Sequence, residues 1–385
     1  MLSGILQDKR LNNGGIADLG QEPSTPATPS KLTTMAARGL AGMFDVETRS
    51  FCFTLKRSQN HWVREGLSSR YTLMALLGVH RLEAAGFQFP IQLRDVVEAQ
   101  LRSGAHATNV GDLGLALWLC ALASPDELEE VYSSLNVRAA LSDSREVLEG
   151  RTMELAWLLT GLAHARSVPG KNLPGLSELG VEIYGLLKNN QGAQGLFGHG
   201  LKKGTVAGAL RGHIGSFADQ VYPIYALAQF AGAFESRAAQ KIALQCADAI
   251  CLAQGDMGQW WWHYNSRTGA VFERYPVYAV HQHGMAPLAL FGLTEATRID
   301  FSEPIYKGLR WIAGENELGV DLRVASAGIV WRSVYNGSAQ RKYFGNALGF
   351  LGFNGNDRAG DLKVNFECRP YEMGWLLYAF ASRCS

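Results

Sequence analysis

The chain lacks an excess of charge of either sign: 36 lysines and arginines against 35 acidic residues leave a net charge of +1 over 385 residues. That balance argues against the basic footprint that binding to nucleic acid or an anionic membrane surface leaves on a sequence. Cysteine is sparse too. Its six copies (Cys52, Cys120, Cys246, Cys251, Cys368 and Cys384) are scattered, with no CxxC pair and no histidine at a zinc spacing. They read as buried thiols of a reducing compartment. No apolar run is long enough for a membrane-spanning helix, and the patch before Asp8 and Lys9 is too short for a secretion signal. The expectation is a cytoplasmic protein with no membrane segment and no nucleic-acid partner. Nothing in the sequence specifies an oligomeric state.

What is present is enough apolar material for one large core, 47% hydrophobic against 18% charged residues. The segment "QEPSTPATPSKLTT" is rich in Pro, Ser and Thr and lacks large apolar groups, so residues 1–40 are expected to be a disordered or extended leader and 41–385 a single domain. Six segments in that domain share a design, a polar first turn followed by an Ala/Leu/Gly-rich helix with almost no polar face: 68–86, 111–123, 151–165, 218–234, 281–297 and 369–382. Such helices are buried on all sides. Between them lie helices of another type, as in 236–253, where Ala239, Ile242, Cys246 and Ile250 share one face and Arg237, Lys241 and Asp248 another. Alternating buried and amphipathic helices predict an all-α fold, an (α/α)6 toroid of helical hairpins; an irregular helical array or open solenoid is the alternative.

In such a ring the inner helices run the same way, so their first turns meet at one mouth. Ser68 to Tyr71, Asn109 and Asp112, Arg151 and Glu154, Asp219 to Tyr222, His281 to His283, and Arg369 to Glu372 would gather there. Capping explains Ser, Asp and Asn at helix starts; it does not call for repeated Arg, His, Gln and Tyr. The stretch "GQWWWHYNSRTGAVFERYPVYAVHQHG" (258–284) adds alternating apolar and polar residues on both sides of Asn265 to Gly269, the pattern of a short β-hairpin near 259–275. On its first arm Trp260, Trp262 and Tyr264 share one face, and Gln259, Trp261 and His263 the other. Aromatic groups beside carboxylates and amides suit a sugar, whose ring faces are apolar and whose edges are hydroxyls.

The alternating helices, the loops in which Gln and glycines precede an aromatic (189–199, 253–264), and the phrases "GQWWWHYNSRTGAVFERYPVYAVHQHGMAPLAL" and "RPYEMGWLLYAF" together resemble the six-hairpin glycosidase-like superfamily, and within it bacterial proteins of polysaccharide-biosynthesis clusters. The resemblance covers roughly residues 45–382. It implies an (α/α)6 fold and carbohydrate work, hydrolysis, elimination or epimerisation, without choosing among them. The Gln-Gly-Trp loops also resemble those of terpene cyclases, but neither DxDD nor DDxxD occurs. His281 and His283 at i and i+2 point apart on a helix, so no metal is expected, and no cofactor.

Glycoside hydrolysis needs two carboxylates. Glu273, Glu372 and Asp219 lead, followed by Glu154 and Asp112. Removal of a carbon-bound proton needs a base such as His281, His283, His263, Tyr275 or Tyr371. Arg274 and Arg369 suit a uronate carboxylate, and Trp261, His263, Tyr264, Tyr275, Gln282 and Tyr371 are expected to contact substrate. The catalytic expectation rests on Glu273, His281, His283, Asp219 and Glu372, and the substrate is expected to be a polysaccharide or oligosaccharide. A glycan-binding or assembly protein that has lost its acid/base pair is the rival.

Overall fold

Helices that are apolar all round are stable only when other helices surround them, and alternate helices of this chain meet that condition. The computed structural model describes residues 27–58, 61–103, 109–136, 152–200, 212–337 and 361–384. Its helices are α1 (Pro29–Gly42), α2 (Ser69–Ala84), α3 (Leu93–Ser103), α4 (Val110–Ala123), α5 (Leu128–Ser134), α6 (Thr152–Arg166), α7 (Leu176–Asn189), α8 (Ala218–Ala233), α9 (Arg237–Leu252), α10 (Ala286–Thr297), α11 (Ser302–Ile312) and α12 (Pro370–Phe380). The even-numbered helices are those expected to be buried. In α4 every residue from Val110 to Ala121 is buried, whereas α9 buries one stripe, Ala239, Ile242, Ala243, Cys246, Ala247 and Ile250.

The even-numbered helices pack in chain order, each on the next, and α12 returns to pack on α2. Each odd-numbered helix lies against an inner one: α3 on α2, α5 on α4, α7 on α6, α9 on α8, α11 on α10 and α1 on α12. Glycines set the closest approaches. A Cβ on Gly114 of α4 would lie 2.4 Å from the Leu158 Cα of α6, and one on Gly78 of α2 would lie 2.2 Å from the Gly374 carbonyl oxygen of α12. Only a residue without a side chain allows such backbone contact.

The centre of the ring is filled. The Trp118 indole of α4 has ring centroids of His164 (α6), Tyr225 (α8), Trp375 and Tyr378 (α12) at 5.4, 5.3, 5.6 and 5.2 Å. Since α4 does not neighbour α8 or α12 in the ring, these contacts cross its axis. Contacts at the two ends show that the inner helices run parallel. At one end, first turns meet: Arg70 of α2 pairs with Asp112 of α4, and the Met153 backbone N–H of α6 donates to Asp219 of α8. At the other, Arg81 near the end of α2 donates to the Tyr378 hydroxyl near the end of α12.

The all-α expectation needs one correction, because short strands gather in several antiparallel sheets. They are β1 (Phe44–Asp45), β2 (Ser50–Ser58), β3 (His61–Leu67), β4 (Ile214–Ser216), β5 (His263–Asn265), β6 (Val271–Glu273), β7 (Val277–Tyr278), β8 (Arg323–Val324), β9 (Ile329–Val330), β10 (Ser333–Asn336), β11 (Leu362–Asn365) and β12 (Glu367–Cys368). Most span two to four residues, too few to leave a period in the sequence. The expected hairpin is present as β5 and β6, shorter than 259–275 and extended by β4, which pairs with β5. β2 is flanked by β1, β3 and β12, β10 lies between β7 and β11, and β8 pairs with β9.

The leader boundary also moves. Residues 1–26 lie outside the described residues, but from Pro29 the chain is helical, and α1 buries Leu32, Ala36 and Leu40. The Gln-Gly loops carry a repeated device: the Gln191 side-chain amide donates to the Gly195 and Ile242 carbonyls, and that of Gln254 to the Gly258 and Pro304 carbonyls. Each ties a loop to the next outer helix or its approach. Gly195 and Gly258, with φ of +83° and +97°, make the turns.

Candidate active site

The first turns that meet at one end of the ring bring ionisable groups from far apart in sequence into one network. On one side Arg70 holds Asp112 through two hydrogen bonds of 2.5 and 3.1 Å, its Nη2 lies 3.8 Å from Glu154, and its guanidinium stands 5.4 Å over the Trp157 ring. On the other side Arg332, just before β10, pairs with Glu372 at 2.7 Å and stands 5.1 Å over the Tyr278 ring. Arg369 bonds the Tyr71 hydroxyl at 2.7 Å, and Tyr71 packs on Tyr371 at 4.7 Å. Glu367 lies between both guanidiniums, 3.9 Å from Arg332 and 3.8 Å from Arg369.

The carboxylates differ in how much of their hydrogen-bonding capacity the protein already uses. Asp219 is fully buried and receives the Met153 N–H at 3.2 Å, the Ser216 N–H and hydroxyl, both at 2.8 Å, and the His199 Nδ1 at 3.0 Å. Glu372 is 1% exposed; Arg332 takes one oxygen and the Arg369 N–H the other. Burial raises the Glu372 pKa and Arg332 opposes the rise. Glu273 is different: half-buried on β6, it meets the His263 Nδ1 at 2.7 Å.

Two imidazole–carboxylate pairs result. His199 is mostly exposed and is held by a buried carboxylate, the arrangement in which an aspartate orients a histidine. Ser216, which binds Asp219, is the cross-strand partner of His263, so β4 links the His199–Asp219 pair, whose aspartate opens α8, to the His263–Glu273 pair on β5 and β6. His199 was missed in the sequence because its partner lies 20 residues on. The available signal was its place directly after a Gln-Gly-aromatic loop.

The expected histidine bases need correction. His281 and His283 sit in a single π-helical turn, His281–Met285, that opens the helix ahead of Pro287; such turns recur at functional sites. Both side chains are buried, and burial pushes each pKa down to about 3. They stay neutral but are too weakly basic to take a proton near pH 7. The His281 ring touches Phe217 and Tyr278 at the floor of the network. His283 is enclosed, and neither ring nitrogen has a partner among the described residues.

Five expected substrate contacts also move. Tyr264 is fully buried, and its hydroxyl accepts the Trp261 N–H. Gln282 is fully buried, bonded to the Trp260 N–H and the Tyr278 carbonyl. Trp261 is 8% exposed and donates to the Ala253 carbonyl at the end of α9. Tyr275 binds Glu317, which also takes the Trp311 indole of α11. Arg274 lies over Trp261, so Trp261, Arg274 and Tyr275 form a cluster anchored on outer-helix ends. The indole beside the network is that of Trp262, half-buried, stacked on His263 at 4.3 Å and edge-on to Tyr278. The strand starts at His263, not Gln259, which breaks the assumed alternation. Arg151 lies outside the described residues.

No family model matches this sequence, and no curated protein matches it. Solved structures do. An unsaturated glucuronyl hydrolase from Streptococcus agalactiae superposes with a TM-score of 0.57 at 11% identity, covering 93% of this chain and 91% of its own. A possible member of the GH105 family from Klebsiella pneumoniae gives 0.61 at 12% identity, over 98% and 99%. The chain has the six-hairpin glycosidase-like fold. A sugar epimerase from a ruminal bacterium shares that fold with a TM-score of 0.58 at 10% identity, over 92% of this chain and 98% of its own. In this six-hairpin chain, no three His, Cys, Asp or Glu side chains among the described residues are grouped to hold a metal ion, and no described helix is long and apolar enough to cross a membrane.

Proposed function

We propose that this chain is a carbohydrate-active enzyme of bacterial polysaccharide metabolism, acting in the cytoplasm on a polysaccharide or oligosaccharide at the first-turn end of a closed (α/α)6 toroid. The observation that carries the reading is the two imidazole–carboxylate couples, His199–Asp219 and His263–Glu273, linked where Ser216, which bonds Asp219, pairs with His263, beside Arg70, Arg332 and Arg369. In this reading His199, oriented by Asp219, and His263 with Glu273 move protons. Arg332 and Arg369 receive an acidic group of the sugar, and Trp262 and Tyr371 meet its apolar faces. Glu372 holds Arg332 in place. The named activities of the structural neighbours, glucuronyl hydrolysis and sugar epimerisation, fit an acid/base mechanism on a uronate-containing substrate.

A non-catalytic glycan-binding role is favoured by a different observation: Asp219 and Glu372 have both oxygens occupied by protein donors. One experiment separates the two. The purified chain is incubated with saturated and unsaturated uronate oligosaccharides and with neutral ones, and products are read by mass and by anomeric and epimer composition. Turnover that falls at least about a hundredfold in both His199→Gln and Glu273→Gln, the usual scale for an acid/base group, supports the enzyme. Saturable binding with no product from any member of the panel supports the binding protein.

A further inference from the structure

The strand pair that leads into α2 carries an aromatic side chain whose exposure core packing does not explain. Phe53 lies within β2 and is 39% exposed, while Phe51, Cys52, Thr54 and Leu55 on either side of it are buried. β2 is fastened to the start of α2, because the Phe51 N–H donates to the Thr72 hydroxyl and the Phe51 carbonyl accepts the Ser68 N–H. Phe53 therefore stands at the rim, beside the first turns that meet at the mouth of the ring.

Its ring continues the aromatic groups of the site outward. It stacks on Tyr71 with centroids 5.4 Å apart and planes 15° from parallel, and Tyr71 packs on Tyr371 at 4.7 Å. Both tyrosines are half-buried, so the run of three rings passes from the network towards solvent. The Arg369 guanidinium lies 4.5 Å from the Phe53 centroid and 5.8 Å from that of Tyr71. With the 5.4 Å between the two rings these separations make a nearly equilateral triangle, which puts Tyr71 and Arg369 on one side of Phe53 and leaves the opposite face to solvent. Across the strand, between the Cys52–Leu67 and Thr54–Glu65 pairs, Phe53 is opposed by Gly66, which has no side chain to lay over the ring. A Cβ there would lie 3.2 Å from the Phe53 Cβ.

A single exposed apolar side chain is ordinary. One that is backed by a stacked ring and a guanidinium, bare on its outer face and continuous with a polar site is a platform. We propose that the outer face of Phe53 is a second saccharide subsite, which takes the apolar face of the sugar residue adjoining the one held at Arg332 and Arg369, an inference that rests on reading this end of the ring as a sugar site. A pyranose presents C–H groups on its face, which pack on the negative face of an aromatic ring, and keeps its hydroxyls at the edge. Phenylalanine donates and accepts no hydrogen bond, so the subsite selects shape and not charge. Recognition of an acid stays with the arginines, and the outer residue can be a neutral sugar. Affinity then grows with chain length, and the growth belongs to Phe53.

The test measures binding to the full chain by calorimetry, with uronate saccharides of one, two and four residues, so that it does not depend on turnover. In the wild type the disaccharide is expected to bind about tenfold more tightly than the monosaccharide, the scale of one aromatic anchor. Phe53→Ala loses that gain, Phe53→Tyr keeps it, and all three proteins bind the monosaccharide alike. A crystal of the wild type with the tetrasaccharide should place a sugar ring within about 4.5 Å of the Phe53 face turned away from Tyr71, a measurement that needs no variant. No gain in the wild type, or a gain that survives Phe53→Ala, overturns the subsite and leaves the reading of the inner site standing. So does a loss in Phe53→Ala that is equal for the monosaccharide, which would mean that Phe53 only braces Arg369 and Tyr71. Absence of binding by every saccharide overturns both.

Discussion

Acid should unfold this protein with an unusually steep dependence on pH, and the buried histidines set the slope. His164, His281 and His283 each have a pKa pushed down by burial to about 3 from an unfolded value of 6.5. A group with a depressed folded pKa contributes stability that is complete above its unfolded pKa and is lost as pH falls towards the folded one. The window here runs from about pH 6.5 down to about pH 3. Below about pH 5.5 each of the three takes up nearly a whole proton on unfolding, at about 1.4 kcal/mol per proton per pH unit, or about 4 kcal/mol per pH unit together. Glu372 acts in the opposite sense. Its raised pKa makes the folded state hold a proton that the unfolded state has released, which removes at most one proton from the slope and leaves about 3 to 4 kcal/mol per pH unit. Urea unfolding between pH 7.5 and 4.5, fitted for free energy at each pH, measures this directly. His283→Phe should lower the slope by about 1.4 kcal/mol per pH unit and raise stability below pH 6. A slope worth less than one proton, or one that His283→Phe leaves unchanged, would refute the reasoning.

The neighbouring tryptophans should separate in their effects. Trp261→Ala is expected to cost about 3 to 5 kcal/mol of stability with ligand affinity unchanged, whereas Trp262→Ala costs about 1 to 3 kcal/mol of oligosaccharide affinity with little change in melting temperature; calorimetry on both variants reads the pair. Arg70→Met removes the cation from two buried carboxylates, Asp112 and Glu154, and is expected to destabilise by about 2 to 3 kcal/mol, less than for a fully buried pair because Arg70 is 28% exposed. Urea titration of the variant measures this, and no loss would refute a stabilising role for the Arg70 ion pairs.

The six inner helices were legible because each is apolar on every side, a property carried within one segment. α4 shows this in a run of buried residues from Val110 to Ala121. First-turn acids such as Asp219 and Glu372 were legible as candidates too. Their hydrogen-bond saturation was not, because the donors arrive from Met153, 66 residues away, and Arg332, 40 residues away. The same distance hid the His199–Asp219 pair. Trp261 and Trp262 were assigned by a period of two that held only from His263 onwards. The neutral state of His281 has burial as its largest cause, and burial of a single side chain cannot be read before the ring closes.

The aromatic cluster around Trp118 has a consequence for traffic. A ring stoppered across its axis by an indole and its four neighbours is a cup and not a tunnel, so a saccharide cannot be threaded through it. Whatever enters at the rim leaves over the same rim, and in the proposed enzyme departing product would contend with arriving substrate for one doorway. A cup also receives only the end of a long chain. Turnover on a polymer would then scale with the number of chain ends, and shortening the polymer at constant mass would speed the reaction.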